Sequence, residues 1–156
     1  MPTNKPKQLE TATHRLTLEI AQPHAAVWKS FTSEIDSWWP RDFRATEPPQ
    51  RMVFEVKPGG RLYEDAGAGN GLLWYHVIGL DAPHSISLAG FVAPPFGGPA
   101  ASLLRIAFSA QRASATVMEV TDSTFGCLGD PASTAEGWRL LFEDGFKSWI
   151  ERRQAA

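Results

Sequence analysis

From Arg51 to Ser123 the hydrophobic pattern repeats every second residue, broken only by short segments rich in Gly, Pro and Asp. RMVFEV, RLYED, GLLWYHVIGL, SISLAGFV, SLLRIAFSAQ and SATVMEVTDS all carry it, and ATHRLTLEI adds one more such segment earlier, at Ala12 to Ile20. Alternation of this kind marks strands with one face buried, and strands joined by short turns are antiparallel. Only one strong helical stripe follows: Trp138, Leu141, Phe142, Gly145, Phe146 and Trp149. A single helix with so wide an apolar face must lie on a sheet. The order is strand, broken helix, consecutive strands, long helix, which is an α+β arrangement with a strongly curved sheet around its helix.

The broken helix is VWKSFTSEIDSWWP, Val27 to Pro40, preceded by Pro23. Val27, Trp28, Phe31 and Ile35 fall at helical spacing, and Ser33 to Ser37 reads as a second short piece. Pro40 closes it, because the residue before a proline is pushed out of the helical region. For the last helix, Ser133 to Glu136 has the form of a capping box, with Ser133 as cap. Glu143 and Lys147 stand in the favourable i,i+4 order.

At 156 residues the chain reads as a polar tail over residues 1–10 and one domain over residues 11–156. Its start has no apolar core of a secretion signal, and no long apolar run follows, so neither export nor a membrane span is expected and the cytoplasm is the default. The formal charge is −2, with no basic stripe, so nucleic acid is not an expected partner. The lone Cys127 excludes an internal disulfide and reads as a small buried hydrophobe. No two His share a close, helix-type spacing with a carboxylate, so no metal is expected. His14, His24 and His84 fall near element ends and read as solvated. There is no G-x-S-x-G elbow, and the glycines at 67, 69 and 71 precede a strand instead of opening a helix, so neither triad nor phosphate-loop chemistry is supported.

Four segments together resemble a known family. FEVKPGGRLYE (Phe54 to Glu64), VIGLDAPHSISL (Val77 to Leu88), IAQPHAAVWKSFT (Ile20 to Thr32) and EGWRLLFEDGFKSWIE (Glu136 to Glu151) are similar, in order, to motifs of relatives of the heat-shock ATPase activator, within the START-like (SRPBCC) superfamily. The superfamily also holds lipid-transfer domains and polyketide cyclases. Three features depart from the pattern: Tyr75 stands where a small residue is expected, Gly90 where relatives tend to carry an aromatic, and the loop APPFGGP has no counterpart.

The resemblance implies the helix-grip fold: a curved antiparallel sheet wrapped around a long C-terminal helix, with two short helices after the first strand. It implies that Val77 points inward, which puts Tyr75 in the interior and His76 outside. The expected cavity set is Trp38, Trp39, Phe54, Tyr63, Tyr75, Val77, Phe91, Phe108, Trp138 and Phe142, with no catalytic residue assigned. The mouth is expected beside the small helices, at the Trp38–Trp39 pair, and the loop APPFGGP is expected as a lid with Phe96 at its tip. Plain core packing is the alternative for each of these aromatics. On the hairpin, a two-residue turn would set Tyr63 on the side of Phe54; a surface pair of Glu55 with Arg61 is the other reading. The expected function is binding of a small apolar or aromatic molecule, without a cofactor. The alternatives are a chaperone-type domain with a protein partner and an enzyme of the cyclase type.

Overall fold

A computed structural model describes residues 8–155. The expected tail falls mostly on residues 1–7, outside the described residues. The first strand, β1 (Glu10–Ile20), is followed by α1 (His24–Ser33) and α2 (Ile35–Trp38). Six strands come next: β2 (Arg51–Phe54), β3 (Arg61–Gly67), β4 (Asn70–Asp81), β5 (Ser85–Val92), β6 (Ala100–Arg112) and β7 (Ala115–Gly126). The C-terminal helix runs as α3 (Pro131–Arg139), a wider-wound stretch over Leu140–Lys147, and α4 (Ser148–Ala155). The seven strands form one sheet in the order β1-β7-β6-β5-β4-β3-β2, with every pairing antiparallel. Among the described residues no helix is long and apolar enough to cross a membrane.

Period-two burial builds the concave face. On β6 the inward positions are Leu104, Ile106 and Phe108; on β7 they are Met118 and Val120. Leu141, Phe142, Phe146 and Ile150 of the C-terminal helix are buried against this face. Register skips past Ala66, Trp74, Ile78 and Gln111 mark four irregularities of the β-bulge kind. Each adds a residue to one strand and bends it, which lets the sheet curl around the helix.

The small helices close one end. The break at Glu34 follows Thr32, whose hydroxyl donates back to the Trp28 carbonyl at 2.8 Å, a local bond that competes with helix continuation. Trp38 stacks on Phe31 at 5.1 Å, and its indole N–H donates to the Phe31 carbonyl. Pro40 then lies under the long helix at Gly145, where a Cβ would come within 2.9 Å of the proline ring. Arg44 secures the following loop with bonds to the Asp36 carboxylate and to the Asp36 and Trp39 carbonyls.

Several expectations are corrected. The last helix is capped by Asp130, which accepts from the Ser133 backbone N–H, and Pro131 occupies the first turn; Glu136 bonds Arg139 instead of closing a capping box. In the wider-wound stretch the Ser148 N–H reaches back five residues to the Glu143 carbonyl. That winding shifts the side chains round the axis, so Lys147 pairs with Glu151 at 2.7 Å and not with Glu143. The β2–β3 connection spans Glu55 to Gly60, longer than a two-residue turn. Leu62 therefore pairs with Phe54 and takes the inner face, and Tyr63 lies on the outer face under the Arg61 guanidinium, 4.5 Å from its ring centre. Arg61 also pairs with Glu55 at 2.9 Å on the surface.

Candidate functional site

The concave face is not filled by the helix along its whole length. A cavity of about 620 Å³ lies where β1, β7, β6, β5 and β4 run out past the start of α3. Ala12, His14, Ser102, Asp122 and Thr124 form its strand wall, Trp74 and Tyr75 close one side, and Thr134 and Trp138 of α3 form the roof. The turn at Pro94–Phe96 and the segment Cys127 to Gly129 make the rim. The volume suits a ligand of drug size.

The bulge on β4 shapes this site. Leu62 pairs with Tyr75 but Tyr63 pairs with Leu73, so Trp74 is the extra residue. Alternation is thereby reversed beyond it. Leu73, which strict alternation would put on the same face as Tyr75, is turned out and is 44% exposed. Trp74, which alternation would put outside with His76, reaches the cavity and donates its indole N–H to Glu64 at 2.7 Å.

Glu64 is fully buried and is saturated with donors: the backbone N–H groups of Ala45 and Thr46, the Thr46 hydroxyl and the Trp74 indole. Burial alone would raise its pKa; the four donors outweigh burial and hold the carboxyl below the usual glutamate range.

Tyr75 and Gly90 compensate each other. A Cβ on Gly90 would lie 2.8 Å from the Tyr75 ring and 2.3 Å from the Trp74 carbonyl oxygen. The missing side chain on β5 is what makes room for the phenol ring of β4.

Tyr75 begins a buried polar chain. Its hydroxyl lies 2.9 Å from Ser102 Oγ, and Ser102 donates to Asp122 Oδ1 at 2.6 Å. Because Ser102 spends its only proton on the carboxylate, Tyr75 is the donor to Ser102. Trp138 Nε1 donates to the other carboxylate oxygen at 2.8 Å. Burial, helped by the Asp122 charge, pushes the Tyr75 pKa up well beyond the ordinary phenol range, and the bond to Ser102 offsets this only in part. Tyr75 therefore serves as a neutral hydrogen-bonding group and is poorly suited to act as a base.

The expected cavity residues separate into three groups. Tyr75 and Trp138 line the cavity. Phe91 borders it, but its place between the inward Gly90 and Val92 assigns its ring to the outer face, where it is 83% exposed. Trp38, Trp39, Phe54, Val77, Phe108 and Phe142 belong to the packed core or its edge, and Tyr63 is outside. Trp39 sits behind Trp74, ring centres 5.3 Å apart, with its N–H on the Phe43 carbonyl. The mouth is thus at the start of α3 and not beside the Trp pair. Phe96 is at the rim, 61% exposed. Cys127 is half-buried at the rim and not part of the core.

Asp122, Ser102, Trp74 and His14 were not among the expected site residues. His14 lies mid-strand, opposite Asp122 in the β1–β7 register, and faces the cavity. The signal for two of them was in the alternation. One step of two before Leu104 falls on Ser102, and one step of two after Val120 falls on Asp122. A carboxylate on the inward register of a strand is a site candidate in its own right. Among the described residues, no three His, Cys, Asp or Glu side chains gather as a metal ion would need.

Comparison with solved structures agrees on the fold. A protein from Rhizobium leguminosarum superposes with a TM-score of 0.68 at 20% identity, covering 93% of this chain and 97% of that one. A norcoclaurine synthase variant of Thalictrum flavum, bound to a transition-state analogue, gives 0.58 at 12% identity over 94% and 98%. The anthrahydroquino-γ-pyrone synthase Txn09 gives 0.51 at 21% identity over 76% and 79%. These likenesses carry the helix-grip fold. No protein-family model matches the sequence, and no curated protein matches it.

Proposed function

We propose that this chain binds a small apolar or aromatic molecule in the cavity between β1, β4–β7 and α3. The observation that supports it most is the combination of about 620 Å³ of space, a mainly apolar lining that includes the rings of Trp74, Tyr75 and Trp138, and one strip of placed polar groups. Ligand sites commonly have that composition. Two of the fold neighbours are named as synthases, an anthrahydroquino-γ-pyrone synthase and a norcoclaurine synthase bound to a transition-state analogue, which is consistent with a small-molecule site in this fold. The four sequence motifs favour kinship with the heat-shock ATPase activator group, and we take the cytoplasm as the place of action. Residues 11–156 would act as one unit.

The test is a titration with N-phenyl-1-naphthylamine, a neutral probe that fluoresces in apolar surroundings. Saturable binding with one site is expected. Ala12 faces the cavity from β1, so Ala12→Phe fills part of the space. It should weaken the probe at least tenfold while the thermal midpoint moves by only a few degrees. Absence of probe binding, or unchanged affinity in Ala12→Phe, would count against the cavity as the site.

A second reading, catalysis of the cyclase type, is supported by the presence of His14 beside the Tyr75–Ser102–Asp122 chain. His14 would be its base, since Tyr75 is held neutral. The protein-partner reading draws on exposed apolar residues of the outer face: Phe91, Leu103 and Phe125. Phe91 and Phe125 flank Ala101 across β5–β6–β7.

A further inference from the structure

The polar end of the bound molecule is constrained by the charges on the wall. Glu10 and Asp122 are the acidic residues of the lining, His14 is its imidazole, and among the described residues the lining contains neither Lys nor Arg. Asp122 is buried, yet among the described residues it takes part in no ion pair. Both of its donors, the Ser102 hydroxyl and the Trp138 indole, are neutral. The negative charge is solvated by dipoles but not cancelled. In surroundings of low dielectric such a charge acts strongly on a second charge placed nearby. Trp74, Tyr75 and Trp138 add aromatic rings, whose faces attract cations.

We propose that the cavity selects its apolar ligand by charge: it takes a molecule whose polar end is a cationic amine and rejects one whose polar end is a carboxylate. This rests on the reading that the cavity binds an apolar molecule. A carboxylate would bring a second negative charge beside Asp122 with no Lys or Arg among the described lining residues to receive it. An ammonium finds an uncancelled carboxylate and aromatic faces together. A neutral hydroxyl falls between, because it is served by the hydrogen-bonding strip without gaining or losing from the charge.

Three compounds with one apolar body separate these terms: 2-(1-naphthyl)ethylamine, 1-naphthaleneethanol and 1-naphthaleneacetate. Each displaces N-phenyl-1-naphthylamine in a titration at pH 8. The amine should bind at least tenfold more tightly than the acid, with the alcohol between them. Asp122→Asn should contract the amine-to-acid ratio; Glu10→Gln, at the rim, is the second variant if the first loses its fold. An acid that binds as tightly as the amine, beside a bound alcohol, overturns the selection alone. Failure of the neutral probe and the alcohol to bind overturns the cavity reading and the selection with it.

Discussion

Replacing Glu64 with alanine is expected to lower the stability of the protein by about 2–4 kcal/mol, since each partly buried donor left unmet costs roughly 1–3 kcal/mol and water can reach only some of them. Four donors converge on this one carboxylate: two backbone N–H groups and a hydroxyl from the loop at Ala45–Thr46, and the Trp74 indole. Alanine removes their shared acceptor inside the sheet. Trp74 lies between this carboxylate and the cavity, so ligand affinity should fall as well. Glu64→Gln keeps the shape but places an amide donor among donors, and an intermediate loss is expected.

The pH dependence has a definite sign. The folded pKa of Glu64 is depressed, so its contribution is fully present above the unfolded value, about 4.3. It is lost as pH falls through the lower folded value. The stability gap between the parent protein and Glu64→Gln should therefore be widest at neutral pH and close in acid. Urea midpoints between pH 3 and pH 7 measure it. A gap that stays constant over that range would show that the carboxylate charge is not what holds the loop.

Phe146→Ala is expected to cost about 3–5 kcal/mol, the range for truncating a fully buried aromatic. Phe146 is completely buried; its ring meets Phe31 edge-on at 5.1 Å and Trp38 at 4.9 Å. It therefore joins the long helix to both small helices at once. Trp149→Ala is the comparison: that ring is only half-buried, with the Arg153 guanidinium 5.2 Å from its centre, and a smaller loss is expected. An unchanged urea midpoint in Phe146→Ala, with an unchanged slope, would contradict the placement of the helix against the sheet.

Much of the fold was legible because burial follows local periodicity. The strands from Arg51 to Ser123, the stop at Pro40 and the apolar stripe of the last helix all follow from spacing along the chain. What was not legible depends on residue counts that periodicity does not carry. One extra residue at Trp74 reversed the facing of Leu73 and brought Trp74 inside. The longer β2–β3 connection put Tyr63 outside. The wound-out stretch at Leu140–Lys147 changed which acid Lys147 meets.

The cavity was legible as a kind of interior more than as a place. Tyr75 was expected inside because the resemblance sets Val77 inward, and Trp138 lies on the helix stripe. Aromatic content, however, does not separate wall from core. Trp38 and Trp39 are as apolar as Trp74 and Trp138, yet Phe31, Trp74 and the Phe43 carbonyl enclose them. The more specific signal was polar: Ser102 and Asp122 interrupt two inward-facing rows of large hydrophobes.

Those differences among the tryptophans allow the most direct measurement. The chain has six indole N–H groups, each resolvable in a proton–nitrogen correlation spectrum and assignable by single Trp→Phe variants. 1-Naphthaleneethanol titrated into labelled protein should shift the Trp74 and Trp138 signals first and furthest. Trp38 and Trp149 should stay in place. Shifts confined to Trp38 and Trp149, or no shift at any indole at saturating ligand, would contradict a binding cavity at the start of α3.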